Sequence, residues 1–391
     1  MSFSYNIKIL FIAHTVQMGG ANHSMLQLML ELREKFNITP IVLMPHMNAK
    51  SPKWNLYAAC VEKGIRCYSF RFYWFTGVNR VASLMRYLSN ILFYPYILYK
   101  LRSLDINIVH TNGSVVDIGM WISKMKKVPH VWHLREYGDL DFNLQPVFGR
   151  KYQSFVYRHG GDAFIAISDS IRKYYQKLIP NSKLHLIYNG IIPPPIENYA
   201  EHNNSCIKFC ILGRLSAEKN GMEALHAIKI LKEEYKEENF RLTLIGKNDG
   251  AYAKKMVEYA NANNLSEFIA FLGERKDIRE ILKQEDVGLM LSRSEAFGRV
   301  TVEYMMQNLA VIASNSGANS ELIENGVTGF LYQPGNVWQL ANTMRGLMKD
   351  KKMLCKIASK GQKEALNKFT SQRNSSAIKN LYDMIIYKND N

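Results

Sequence analysis

Cysteine is scarce. The 391-residue chain has five (Cys60, Cys67, Cys206, Cys210 and Cys355), at spacings that fit neither a zinc site nor a disulfide framework. A sparse, odd set points to a reducing compartment. Cys206 and Cys210, within the apolar run CIKFCIL, read as buried thiols. No stretch approaches the roughly 18 consecutive apolar residues that a membrane-spanning helix needs. The opening residues MSFSYNIKILFIAHT hold one lysine and pass directly into a strand pattern, without the small-residue cleavage site of a secretory signal. The expectation is a cytoplasmic protein, soluble or peripheral at the inner face of a membrane. Helix-turn-helix, zinc-finger, ribonucleoprotein and P-loop signatures are missing, as is any Lys/Arg-rich block, which excludes nucleic acid as a partner. The last absence is local: from Lys63 to Leu104 there is no Asp or Glu.

That acid-free stretch carries Lys63, Arg66, Arg71, Arg80, Arg86, Lys100 and Arg102, interleaved with FRFYWF and LFYPYILYK. Cations alternating with aromatics suit an anionic bilayer surface, and segment 63–104 is expected to make that contact. Its longest uncharged run, Tyr87 to Tyr99, is thirteen residues, too short to span. The plainer reading is a set of core-facing helices with a basic outer face. Over the chain the formal charge is +16, and residues 1–200 own most of it, with 23 Lys+Arg against 11 Asp+Glu, compared with 27 against 23 in residues 201–391. An anionic partner for the first half follows.

With 47% hydrophobic residues, the length suits two domains. Apolar, β-branched runs alternate with helix-length segments in both halves. The first half has IKILFIAHT, ITPIVLMPH, INIVHTNG, HVWHLRE, AFIAISDS and LHLIYNG; the second has IKFCILGR, RLTLIGK, IAFLGER, VGLMLSR and AVIASNSG. Such runs predict parallel strands covered on both faces. Between the halves NGIIPPPIENYAEHNNS reads as a linker. The predicted fold class is therefore α/β, two doubly wound Rossmann-like domains facing across a cleft. Ligands of such sheets bind outside the carboxyl ends of the strands.

The chemistry-bearing residues follow strands. After CIKFCIL come Gly213, Arg214 and, five residues later, Lys219, a guanidinium fork and a point charge suited to a diphosphate. After DVGLMLSRS the stretch SEAFGRVTVEYM turns at Gly298 into a helix. The amides of Gly298, Arg299, Val300 and Thr301 would lie at the helix N-terminus, where an anion is favoured. Glu295 sits on the loop and Glu303 in the first turn, where an acid also complements the helix dipole.

Taken in order, MGGANHSMLQLMLEL, ISDSIRKYY, IYNGI, GRLSAEKNG, FLGERKDI and SRSEAFGRVTVEYMMQNLAVIASNSGANSELIENGVTGFLY resemble the retaining glycosyltransferases of the GT-B fold, in particular glycosyltransferase family 4 with its glutamate-x7-glutamate region. The resemblance implies an acceptor-binding domain at 1–193, onto which a helix at about 370–391 returns, and a nucleotide-sugar-binding domain at 205–369. It implies that Arg214 and Lys219 hold the donor diphosphate, that amides from Gly298 to Thr301 complete the cradle, that Glu303 binds the ribose and that Glu295 binds the donor sugar. Gly19 and Gly20 resemble the family's glycine pair, and His133 its histidine near the reacting sugar; from the residues alone, His133 reads as structural. The chain departs from the family pattern at QNLAV, at Ile191 after NG, and at GANSE, where Gly317 alone of a glycine pair remains.

The activity implied is retaining transfer from a nucleotide sugar, UDP- or GDP-linked, to a glycan or lipid-linked glycan in bacterial surface polysaccharide or lipopolysaccharide synthesis. Arg214, Lys219 and the amides would stabilise the leaving diphosphate, so no metal and no other cofactor is expected. Asp139 and Asp141 in GDLDF form an Asp-x-Asp tripeptide of the kind metal-dependent transferases use, in architecture of the wrong type for that role. Two other readings share the scaffold: a nucleotide-sugar epimerase, which needs no acceptor, and a non-catalytic nucleotide-sugar binder.

Overall fold

The computed structural model describes residues 7–47, 54–195, 206–248 and 250–389. Most of the expected linker, residues 196–205, lies outside the described residues. The chain forms two compact units, Met1–Gly190 with Ser371–Asn391, and Ile191–Thr370.

The first unit is built on β1 (Lys8–Ala13), β2 (Thr39–Pro45), β3 (Arg66–Phe70), β4 (Ile108–Asn112), β5 (His130–Leu134), β6 (Ala163–Ala166) and β7 (Leu184–Leu186). They pair in the order β3-β2-β1-β4-β5-β6-β7, all parallel. Side chains alternate across β1: Ile9 and Phe11 pack beneath helices Gly20–Phe36 and Ser371–Asn389, while Leu10 and Ile12 join a core with Tyr94, Ile97, Ile118 and Ile122 on the other face. Burial on both faces is what a continuous apolar strand requires, and it explains why β4, β5 and β6 are wholly buried.

The second unit repeats the plan with β8 (Ile207–Leu212), β9 (Phe240–Ile245), β10 (Ile269–Gly273), β11 (Val287–Met290), β12 (Ala310–Ser314) and β13 (Phe330–Tyr332). The order is β10-β9-β8-β11-β12-β13, again parallel. In each unit the first and fourth strands are neighbours, and from them the strand order runs in opposite directions. That switch point opens a crevice at the strand carboxyl ends.

The chain re-enters the first unit at Ser371. The helix Ser371–Asn389 is fixed there by Ser371 Oγ to Glu31 (2.7 Å), by Asn374 Nδ2 to Tyr188 O (2.6 Å), and by buried Ile378, Leu381, Tyr382 and Ile385.

Candidate functional site

In the second unit the β8/β11 switch point gathers the sequence-predicted residues Arg214, Lys219, Glu295, Gly298–Thr301 and Glu303. Backbone bonds Gly213 N to Ile245 O (2.8 Å) and Leu215 N to Lys247 O (3.0 Å) pin the turn after β8 to the end of β9 and leave the Arg214 side chain exposed between them. Beyond it, Glu223 is a buried carboxylate near the start of helix Met222–Glu233 that accepts from Asn220 Nδ2 (2.6 Å), Tyr332 Oη (2.5 Å) and Gly335 N (3.0 Å). This network holds the residue next to Lys219. The Lys219 ammonium meets Glu295 Oε1 at 2.5 Å.

Glu295 owes its place to its backbone. Its carbonyl accepts from Ala318 N at 2.8 Å, and Gly317 lies against it with φ of +52°. A Cβ on Gly317 would sit 2.3 Å from the Glu295 carbonyl oxygen, so this position, three residues past β12, must be glycine for the loop after β11 to stack on it. Gly298, with φ of +82°, then turns the chain into helix Arg299–Met306. The first intrahelical bond is Val302 N to Gly298 O (3.2 Å), which places the amides of Arg299 to Thr301 at the positive end of the dipole. Thr301 is wholly buried, and its side chain donates to Asn319 Oδ1 (2.9 Å). One turn on, Glu303 Oε1 pairs with Arg299 Nε at 2.8 Å. Burial raises the Glu303 carboxyl above its usual range, against the pull of the Arg299 and Arg279 charges.

Gly19 and Gly20 belong to the first unit, at the start of helix Gly20–Phe36, with nothing within 4 Å of a Cβ at either. Packing within the unit therefore does not demand glycine there. Three asparagines and an arginine that the sequence reading missed position this loop. Asn22 Nδ2 donates to Thr15 O and Gln17 O (2.8 Å each). Asn112 at the end of β4 donates to Ala21 O (3.2 Å) and accepts from Arg135 Nε (2.8 Å), and Arg135 in turn bonds Asn189 Oδ1. Their only sequence signal was position: Asn112 ends a strand, Arg135 and Asn189 lie just past strands, and Asn22 sits in the first turn of its helix.

His133 is a core residue with no exposed surface. Its Nδ1 meets His110 Nε2 at 3.1 Å, and His110 Nδ1 meets Tyr382 Oη at 2.6 Å; among the described residues His133 Nε2 has no partner. Burial, reinforced by the Arg135 charge, pushes both imidazole pKa values well down, so both rings are neutral at physiological pH. With no exposed surface, His133 presents neither a hydrogen bond nor a charge to a ligand here.

Asp139 and Asp141 have local work. Asp141 caps the short helix Asp139–Phe142 by accepting from Tyr137 N (2.9 Å) and Gly138 N (2.7 Å), and Asp139 pairs with Arg150 at 3.2 Å. Among the described residues no three His, Cys, Asp or Glu side chains cluster as a metal site would require.

Both units are doubly wound parallel sheets, and the switch point of the second gathers cationic and carboxylate side chains. Residues 18–193 match the family described as Glycosyltransferase Family 4, and residues 197–364 match Glycosyl transferases group 1. The chain belongs to this family of GT-B glycosyltransferases. It is 26% identical over 320 residues (74% of this chain, 79% of the relative) to the Escherichia coli UDP-Gal:alpha-D-GlcNAc-diphosphoundecaprenol alpha-1,3-galactosyltransferase. It is 24% identical over 287 residues (72% and 77%) to an uncharacterized glycosyltransferase of Methanocaldococcus jannaschii. Among solved structures, Anabaena HepE in complex with UDP superposes with a TM-score of 0.77 at 20% identity, over 97% of this chain and 100% of that one.

Proposed function

We propose that the protein is a retaining, metal-independent hexosyltransferase that moves a sugar from a UDP- or GDP-linked donor to a glycan or lipid-linked glycan of a bacterial surface polysaccharide or lipopolysaccharide. The observation that carries the reading is two ion pairs, Lys219–Glu295 between the loops that follow β8 and β11, and Arg299–Glu303 within helix Arg299–Met306. The first couples a diphosphate-binding cation, Lys219, to the sugar-binding Glu295, and the second ties Glu303 to the arginine whose amide joins the phosphate cradle. On donor binding, the diphosphate takes Lys219 and Arg214, joined by the amides of Gly298 to Thr301. Glu295 is released to the sugar hydroxyls, and Glu303 binds the ribose. Charge-assisted hydrogen bonds of this kind contribute roughly 1.5–3 kcal/mol each.

In the reaction the bond between the anomeric carbon and the diphosphate oxygen breaks. The leaving diphosphate, stabilised by these donors, takes the proton of the acceptor hydroxyl, and that hydroxyl's oxygen bonds the anomeric carbon on the same face. A link to lipid-borne acceptors is supported by the E. coli relative, whose acceptor is a diphosphoundecaprenol-linked sugar. It is also supported by helices Arg80–Leu88 and Asn90–Leu101, which expose Val81, Met85, Ile91, Leu92, Tyr96 and Tyr99 beside Arg86 and Lys100. No helix among the described residues is long and apolar enough to cross a membrane. On the strength of that exposed face and the relative's lipid-linked acceptor, we assign the protein to the cytoplasmic membrane face as a peripheral enzyme.

The test is transfer from labelled UDP- and GDP-sugars to lipid-linked acceptors in EDTA, with the product's anomeric configuration read by NMR. Retention without metal is expected. An inverted product, or activity only with a divalent cation, contradicts the mechanism; donor epimerisation without transfer contradicts the activity.

A further inference from the structure

The first unit contains a cavity of about 660 Å³ that the donor chemistry does not use. It opens at the carboxyl ends of β1, β2 and β3, where His14, His46 and Arg71 leave the sheet, and Arg86 closes it from helix Arg80–Leu88. Its lining thus carries two arginines and two histidines and, among the described residues, no Asp or Glu. A second cavity of similar size lies at the opposite, amino-terminal ends of β5 and β6. There Asp162 supplies a carboxylate and Lys183 is committed to Gly161 O (2.9 Å). That cavity is cationic too, with Lys124, Lys127 and Arg158 beside Lys183 and Asp162; the first differs in its pair of arginines with no acid in the described lining.

Three further features mark it as a built site. Thr76 is buried, lines both this cavity and a small neighbouring one, and among the described residues its Oγ1 has no hydrogen-bond partner. Trp74 Nε1 donates to His14 O (2.7 Å) and His14 Nδ1 to Asn112 O (2.9 Å), which fixes the indole and the imidazole in the wall. Ser83 and Arg86 line the cavity from the same helix whose Val81 and Met85 are exposed, so the cavity lies directly beside the apolar surface.

We propose that this cavity is the acceptor site and that it selects an acceptor carrying a phosphate or diphosphate: Arg71 and Arg86 bind the anion, and Thr76 with Ser83 binds sugar hydroxyls. Arginine suits this role because its planar fork matches two phosphate oxygens at once. The proposal rests on the transferase reading and names the acceptor class for it. The anion can belong to a lipid-linked diphosphate or to a soluble sugar phosphate, and both present the same group to the cavity.

The test is calorimetric titration of the full-length protein in saturating UDP, which keeps the donor site filled. The probes are N-acetylglucosamine 1-phosphate, octyl-diphospho-N-acetylglucosamine and the uncharged octyl N-acetylglucosaminide. The octyl diphosphate is expected to bind at least about tenfold more tightly than the uncharged glycoside, and Arg71→Gln or Arg86→Gln to weaken it by about tenfold each. UDP affinity should stay unchanged in both variants, and Lys124→Gln, in the other cavity, should change neither ligand. Equal binding of the 1-phosphate assigns a soluble acceptor; preference for the octyl diphosphate assigns a lipid-linked one. Comparable affinity for the uncharged glycoside, no binding of any probe, or indifference to both arginine variants while UDP still binds overturns the inference. Failure of the wild type to bind UDP removes the transferase reading, and this inference with it.

Discussion

At the scale of single residues, the candidate donor site is held ready by ion pairs that a ligand must open. Lys219→Ala removes both the proposed diphosphate cation and the partner of Glu295, a side chain that keeps only 12% of its surface exposed. A loss of donor affinity of at least about tenfold is expected by titration. Gly317→Ala tests the backbone argument. The methyl group cannot coexist with the Glu295 carbonyl at 2.3 Å, so the Glu295 loop must shift. Transfer should fall strongly while far-UV circular dichroism is retained, and wild-type activity in this variant would refute the stacking. Glu285 lies outside this site, at the amino end of β11. It is buried, its Oε2 has no partner among the described residues, and burial raises its carboxyl pKa from 4.5 to about 7. The folded state therefore binds a proton that the unfolded state releases between about pH 4.5 and 7, and stability declines as pH rises through that window. Glu285→Gln should be insensitive there, and its stability relative to wild type should grow by up to about 3 kcal/mol between pH 5 and 8 in urea melts.

At the scale of elements, the helices that carry the exposed apolar face are tied down by one buried acid. Asp117, with burial raising its pKa, accepts from Tyr94 Oη (2.6 Å), Tyr152 Oη (3.2 Å) and Tyr87 Oη, joining helices Arg80–Leu88 and Asn90–Leu101 to helix Gly149–Gly160. Tyr94→Phe leaves that carboxylate short of one donor, and a loss of about 1–3 kcal/mol is expected. Thermal melting reads it, and an unchanged Tm would contradict the network.

The sequence made the alternation of strand and helix legible because a parallel strand buried on both faces is apolar throughout. It failed at the edges. RCYSF, now β3, is half exposed and mixed in polarity, and FLY, now β13, is three residues long. Neither reaches the apolar run length that marks an interior strand. The site was legible residue by residue, as motifs after strands. Its pairing was not, since Lys219 and Glu295 lie 76 positions apart. Asp117 and its tyrosines, 23 to 35 positions away, were hidden for the same reason. The residues alone gave His133 a structural reading, and its burial against His110 agrees with that; only the family resemblance had set it beside a sugar.

At the scale of the molecule, the two units repeat one strand order and differ in charge, with the excess of cations in the first half of the chain. The carboxyl-terminal helix belongs to the first unit, where Tyr382 bonds His110 and Ile378, Leu381 and Ile385 complete the core. Truncation after Thr370 should expose that core, and a soluble truncated protein with an unchanged Tm would contradict the packing. If the exposed apolar face of helices Arg80–Leu88 and Asn90–Leu101 meets a membrane, vesicles rich in anionic lipid should retain the protein in flotation, neutral vesicles should not, and Leu92→Asp should release it.

The central claim, a nucleotide-sugar site on the loops after β8 and β11, is tested most directly by calorimetric titration of UDP, GDP and ADP in EDTA against the wild type, Arg214→Ala and Glu303→Ala. Saturable binding of UDP or GDP by the wild type, weakened at least about tenfold in both variants, is the predicted result. Binding that survives both substitutions, or no binding of any of the three nucleotides, would contradict it.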